Sequence, residues 1–246
     1  MKTPLRVLLL GAKGRMGQAI AAAAAKTDVE ISAGLDLGDD IAKQIDRCDV
    51  VIDFSHPNAS SELARACREA KKAVVIGTTG HSKEERAAIE ELSRSTPVVL
   101  SPNFSVGVNA LFWLTRKAAQ MLGDDFDLEI SEMHHRLKKD APSGTAKKLA
   151  EILCEVRGLD YGKNVRHGRE GLVGERRADE IGVHSIRGGD VVGDHTVSFA
   201  GAGERLEFSH KAGSRETFAL GALRAARWVV GKPAGLYSME DVLGLR

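Results

Sequence analysis

Aromatic side chains make up only 4% of this 246-residue chain, and neither sign of charge prevails: 35 lysines and arginines against 34 aspartates and glutamates leave a formal net charge of +1. Few stacking platforms and no basic excess argue against a nucleic-acid-binding surface. Cysteine is scarce as well. Cys48, Cys67 and Cys154 form no C-x-x-C pair and no framework spacing, which excludes a disulfide scaffold and fits a reducing compartment. Long apolar runs are missing: Val7-Leu8-Leu9-Leu10 stops at Gly11, too short for a signal-peptide core or a membrane span. Among eight histidines there is no H-E-x-x-H and no Cys/His ligand spacing, so no metal site is expected. The expectation is a soluble cytoplasmic protein with neither nucleic acid nor membrane as partner.

What is present is an ordinary globular balance, 43% hydrophobic and 28% charged, enough for one large domain or two modest ones. Up to about residue 104, short β-rich runs (Val7 to Leu10, Val29 to Leu35, Val50 to Phe54, Ala73 to Ile76, Val98 to Leu100) alternate with helical patterns (Met16 to Ala25, Ala59 to Ala70, Lys83 to Ser93). That alternation is the βαβ rhythm of an α/β, Rossmann-type, doubly wound parallel sheet. Phe104 to Leu122 reads as a long helix. Strands near Asp127 to His134, Gly182 to Arg187, Val191 to Phe199 and Arg205 to His210 then predict a second, α+β unit. The Gly-, Arg- and Glu-rich stretch from Tyr161 to Glu180 reads as an exposed loop and a candidate lid. A closing helix over Ser214 to Val230 is expected to return to the first unit, giving domains 1–104 (completed by 216–246) and 105–215.

The run Val7 to Leu10 leads through Gly11-Ala12-Lys13-Gly14-Arg15-Met16-Gly17 directly into a helix, the G-x-x-G-x-x-G variant of the dinucleotide fingerprint. Its glycines permit a tight turn and close backbone approach, so that the helix N-terminus faces a pyrophosphate. The second strand ends at Asp36, near the offset at which an acidic side chain meets adenosine ribose hydroxyls. Asp36 would repel a 2′-phosphate and the neighbouring Leu37 cannot hold one, which favours NADH; Lys13 and Arg15 leave NADPH open. Two further turns, Gly77-Thr78-Thr79-Gly80 and Ser101-Pro102-Asn103-Phe104, follow strands of the same sheet and offer amides and hydroxyls to the nicotinamide end. His56 reads as a turn residue before a helix.

The segment from Glu132 to Ala146, EMHHRLKKDAPSGTA, is the most densely loaded with chemistry. Alternation before it places the histidines at a strand end, and Ser143-Gly144-Thr145 opens a helix whose first N–H groups and positive dipole end favour a carboxylate or phosphate. Lys138 or Lys139 adds full positive charge, so the segment reads as an anion site beside a proton donor. The plainer alternative is a solvated basic connection.

Together these residues resemble the dihydrodipicolinate reductase family, also called 4-hydroxy-tetrahydrodipicolinate reductase, over nearly the whole chain. The resemblance rests on the glycine loop, Asp53-Phe54-Ser55, Gly77-Thr78-Thr79-Gly80, Asn103-Phe104-Ser105-Val106-Gly107-Val108, the Glu132 to Ala146 segment and Arg187-Gly188-Gly189-Asp190-Val191-Val192-Gly193-Asp194-His195-Thr196. It implies NADH- and/or NADPH-dependent reduction of a cyclic imine dicarboxylate on the diaminopimelate route to lysine, with loss of a hydroxyl as water. By resemblance His134 is the proton donor, Lys138 the second catalytic acid, and His135, Gly144 and Thr145 bind the substrate carboxylates. It also implies domain closure and a homotetramer pairing through the second-domain sheets. Many relatives carry arginine where this chain has Leu37, and a small residue where it has Pro102. His195 and His210 read as structural residues of alternating strands, and the roles of Arg187 and Arg215 stay open. Two competing readings are another dinucleotide-dependent dehydrogenase of amino-acid metabolism and a non-catalytic NADH sensor.

Overall fold

The computed structural model describes residues 3–245. In chain order the elements are β1 (Leu5–Leu10), α1 (Arg15–Ala24), β2 (Val29–Leu35), β3 (Val50–Asp53), α2 (Ser60–Glu69), β4 (Ala73–Ile76), α3 (Lys83–Ser93), β5 (Pro97–Leu100), α4 (Val106–Leu122), β6 (Asp127–His134), α5 (Gly144–Arg157), α6 (Tyr161–Asn164), β7 (Val165–His167), β8 (Ile181–Arg187), β9 (Gly193–Gly201), β10 (Glu204–Ala212), α7 (Glu216–Val229), β11 (Gly235–Tyr237) and α8 (Met239–Leu243). The chain divides into two compact units, one running up to Val106 and resuming at Arg215, the other Gly107–Ser214.

The first unit is built on a six-stranded sheet in the order β11-β5-β4-β3-β1-β2, every pairing parallel. Sheets of this kind are covered on both faces, so their strands are continuously apolar: Val7 to Leu10, Val50 to Ile52 and Val74 to Ile76 are all buried. One face packs against α1 and α7 through Ile20, Ala23, Ala222, Leu223 and Ala226, the other against α2 and α3 through Leu63, Cys67, Ile89 and Leu92. The Rossmann-type architecture expected from the βαβ rhythm is therefore present. β11 and α8 lie beyond what periodicity indicates.

The second unit is a mixed five-stranded sheet, β10-β9-β6-β8-β7. Along β6 every second residue, Leu128, Ile130, Glu132 and His134, is buried. The same phase in β9 buries Gly193, His195, Val197 and Phe199. Helix α5 covers this face with Ala146, Leu149, Ala150 and Leu153. β9 begins at Gly193 rather than at the expected Val191, because the Val191 carbonyl is used by His135 N–H, 2.7 Å away, in the turn outside the sheet.

The stretch from Tyr161 to Glu180 is not the free loop that its composition suggests. It holds α6 and β7, and two arginines tie the remainder to β6. Arg169 reaches Glu129 at 2.7 Å and Glu180 at 2.5 Å, and Arg176 reaches Glu129 at 3.0 Å and Asp127 at 2.6 Å. His184 adds a contact to Glu129 at 2.8 Å. Burial alone would raise the Glu129 carboxyl, but Arg169, His184 and Arg176 hold it down at about 2.

Candidate active site

In the first unit the carboxyl ends of β1 to β5 carry the predicted cofactor residues along one edge of the sheet, and the order reverses between β1 and β3, where doubly wound sheets bind nucleotides. A cavity of about 340 Å³ lies there, lined among others by Leu10, Gly11, Gly14, Asp36, Phe54 and Glu62. Gly11 has φ +77° and donates to Leu35 O at 2.8 Å, pinning the loop to β2. Gly17 must lack a side chain, since a Cβ would stand 2.7 Å from Ala12 Cα. Helix α1 begins after Gly14 with no side-chain cap, leaving its first N–H groups to an anion. Asp36 Oδ1 accepts from Lys13 N–H at 3.1 Å, and the Asp36 N–H donates to Asp39 at 2.8 Å, so the carboxylate is fixed beside the cavity. Leu37 is 89% exposed. Arg15 is exposed and Met16 half-buried on the first turn of the helix.

The remaining cofactor candidates differ in what they offer. Thr78 is buried and donates to Asp53 Oδ2 at 2.8 Å, while Ser55 donates to Asp53 Oδ1 at 2.5 Å, so one buried carboxylate joins two loops. Burial pushes the Asp53 carboxyl up. Gly77 packs against the Phe54 ring and Thr79 is exposed. Ser101 turns back on Asn103, Pro102 is exposed, and the Phe104 side chain is 1% exposed against Phe54 in the core. Phe104 therefore contributes packing rather than a side-chain contact to a ligand.

In the second unit a polar cluster sits at the end of β6. Glu132 is 2% exposed, a carboxylate in a core position of the strand, and burial of this kind requires partners. His134 Nδ1 lies 2.6 Å from Glu132 Oε2, Arg187 grips both carboxylate oxygens at 2.8 Å, and Ser143 N–H donates to Oε1 at 3.2 Å. Burial would raise the Glu132 carboxyl, but Arg187, His134 and Ser185 hold it at about 2. His134 is lowered by burial, with Glu132 opposing and Lys138 and Arg187 reinforcing. Ser143 Oγ caps α5 through Ala146 N–H at 3.2 Å and meets His195 Nε2 at 3.0 Å. The His195 ring stands 5.1 Å from that of His134, and burial holds it neutral with a pKa of about 3. Lys138 pairs with Asp140 at 2.9 Å. His135 donates its N–H to Val191 O, and its Nδ1 is buried with no partner. Gly144 and Thr145 form the first turn of α5.

Comparison with known proteins decides the family. A model described as dihydrodipicolinate reductase, N-terminus, matches residues 5–104, and one described as dihydrodipicolinate reductase, C-terminus, matches residues 107–243. The chain belongs to the dihydrodipicolinate reductase family. A relative named 4-hydroxy-tetrahydrodipicolinate reductase from Akkermansia muciniphila is 56% identical over 98% of each chain. One of the same name from Geobacter metallireducens is 47% identical over 98% of this chain and 100% of its own. A dipicolinate-bound dihydrodipicolinate reductase from Paenisporosarcina sp. TG-14 superposes with a TM-score of 0.72 at 26% identity, covering 97% of this chain and 98% of that one. As a dihydrodipicolinate reductase family member the chain is an oxidoreductase.

In one unit Glu132 joins His134 to Ser143 at the start of α5 and Lys138 acts electrostatically on His134, and in the other the glycine loop, Asp36 and the Gly77 and Ser101 turns lie at one sheet edge. Periodicity did not single out Glu132 as functional. A charge at an apolar-phase position of an amphipathic strand is the signal that finds it. His195, read as structural, packs directly against His134 instead of lying apart from the cluster. Among the described residues no group of three or more His, Cys, Asp or Glu side chains is placed to hold a metal ion, and no helix is long and apolar enough to cross a membrane.

Proposed function

We propose that this chain reduces 4-hydroxy-tetrahydrodipicolinate to tetrahydrodipicolinate in the diaminopimelate route to lysine, using NADH in preference to NADPH. The observation that carries the reading is a buried histidine, His134, held by Glu132 beside a lysine and a helix start suited to carboxylates. The overall change consumes one reduced nicotinamide and one proton and expels the substrate hydroxyl as water: dehydration introduces one ring double bond, and the hydride and proton saturate that bond.

The first unit fits a dinucleotide: the glycine loop leaves space that a Cβ would fill, the α1 N-terminus is uncapped, and Asp36 stands at the cavity. Gly11 to Met16 would hold the pyrophosphate, Asp36 the adenosine ribose, and Gly77, Thr78, Thr79, Ser101, Pro102 and Asn103 the nicotinamide end through backbone and hydroxyl groups. When bound, the reduced nicotinamide supplies the hydride. Asp36, Asp39 and Glu62 surround the cavity with carboxylates and Leu37 offers no cation, which disfavours a 2′-phosphate.

His134 gives its proton to the ring carbon beside the one reduced, and Lys138 serves as second acid while its charge steadies the dicarboxylate. His135, Gly144 and Thr145 bind the carboxylates. An anionic substrate offsets the burial that keeps His134 neutral in the free protein, so binding primes the acid it needs. The second-unit sheet leaves Ile186 and Leu206 exposed, in keeping with a homotetramer paired through these strands, and three buried free cysteines suit the cytoplasm.

The test is cofactor oxidation with substrate generated in place from pyruvate and aspartate semialdehyde by the preceding synthase, with NADH and NADPH in parallel. Rapid substrate-dependent oxidation, faster with NADH, is expected, with a loss of about 10²-fold or more in His134→Gln. Intact nucleotide binding without oxidation would reject the substrate.

A further inference from the structure

We infer that Glu132 and Arg187 act as an opposed positioning pair that sets which nitrogen of His134 carries the exchangeable proton and how tightly it is held. The inference rests on the reading of His134 as proton donor. Neither residue needs to touch substrate for this role.

The geometry argues it directly. Among the described residues Glu132 is the only carboxylate bonded to His134, and it takes the Nδ1 side at 2.6 Å. An ionised carboxylate accepts and cannot donate, so Nδ1 carries the hydrogen in the neutral ring and Nε2 is left to exchange a proton. Nε2 faces Gly193, where a Cβ would stand 2.9 Å away, so the backbone of β9 leaves that nitrogen room. Arg187 grips Glu132 by a two-pronged contact, and the same guanidinium donates to Asp140 O at 2.7 Å. Asp140 in turn holds Lys138. One arginine on β8 thus braces the carboxylate behind the first acid and the turn that carries the second.

The charges around His134 come from each element packed on it: Glu132 from β6, Lys138 and Asp140 from the following turn, Arg187 from β8 and neutral His195 from β9. Glu132 favours the imidazolium, whereas Lys138 and Arg187 disfavour it. Removing the two members of the pair must therefore move His134 in opposite directions, which a merely structural role would not do. Glu132→Gln keeps the shape and removes the negative charge, so His134 loses its proton at lower pH. Arg187→Gln removes an opposing positive charge and moves it to higher pH.

The experiment follows the His134 ring proton by NMR in the free protein through a pH titration, the signal assigned by its absence in His134→Gln, alongside the pH dependence of turnover. Expected is a downward shift in Glu132→Gln and an upward shift in Arg187→Gln. The ratio of rates at about pH 8 and about pH 6 should fall and rise correspondingly, by roughly two- to fivefold for a tenfold change in the proton affinity of His134. Should Glu132→Gln not fold with Arg187 left unpaired, the Glu132→Gln/Arg187→Gln variant removes both charges, and its His134 should titrate below the wild type. Arg187→Lys, which keeps the charge, should leave the titration near the wild-type position. Unmoved or parallel titrations in the two single variants overturn the inference. Opposed titrations with unmoved rate profiles uphold the pair and reject His134 as the donor.

Discussion

Replacing Ser143 by alanine removes two interactions at one buried atom. Its hydroxyl caps α5 through Ala146 N–H and is the hydrogen-bond partner of His195 Nε2 at 3.0 Å. Loss of a serine cap costs about 1 kcal/mol. The buried imidazole, whose Nδ1 already lacks a partner, is then left with neither nitrogen bonded, at a cost of about 1–3 kcal/mol. The second unit should lose roughly 2–4 kcal/mol. The chain has two tryptophans, and only Trp113 lies in that unit, so Trp113 fluorescence in a Trp228→Phe background reads its urea unfolding without interference. The reasoning can be checked within the same assay: Ser143→Ala on a His195→Leu background has no imidazole to orphan and should cost only the cap. A loss below about 1 kcal/mol in the single variant, or an equal loss in both backgrounds, would refute the orphaned-histidine argument.

Dipicolinate, the ligand named for the Paenisporosarcina relative, should bind with net uptake of protons near neutral pH, because burial lowers His134 and two carboxylates raise it; calorimetry in buffers of differing ionisation enthalpy measures this, and no buffer dependence would contradict it. The second unit should lose stability as pH falls from about 6.5 to about 2. His195 sits near 3 against an ordinary 6.5, Glu129 and Glu132 near 2 against 4.5, and each depressed group stabilises fully above its unfolded value and ceases to do so below its folded one. A flat profile of Trp113 unfolding across that range would show that these groups are not so perturbed. Gly17→Ala should weaken NADH binding by roughly tenfold or more, since the new methyl displaces the loop at Ala12; wild-type affinity by titration calorimetry would be inconsistent with the packing described.

Much of the first unit was legible because its chemistry is local. Val7 to Leu10 and Val74 to Ile76 are unbroken apolar runs, and the turns after them carry glycine where the chain must bend. β11 escaped because three residues beginning with glycine have no period, and its place beside β5 depends on a partner more than a hundred residues earlier. α8 announced itself only through Ser238 and Asp241, a capping box too short to stand out. The stretch from Tyr161 to Glu180 is largely exposed over 168–179, as its composition indicates, but Arg169 and Arg176 are held by Glu129, Glu180 and Asp127, a pairing that composition does not reveal. In the site, His134, Lys138 and the Ser143 turn could be proposed from one contiguous segment. Glu132, Arg187 and His195 come from three strands, and only the register of β6 with β8 and β9 brings them together.

The place of β11 bears on how the molecule is made. This strand follows the second unit in the chain yet completes the sheet of the first, at the open side of β5. Translation from amino to carboxyl end therefore delivers the whole acid-bearing unit while the nucleotide-side sheet still waits with β5 as a bare edge. At that stage the first unit holds five of its six strands, with β5 still unpaired on its outer side. The part begun first is the part finished last, and until α7 and β11 are made it lacks both the cover of one sheet face and the partner of β5.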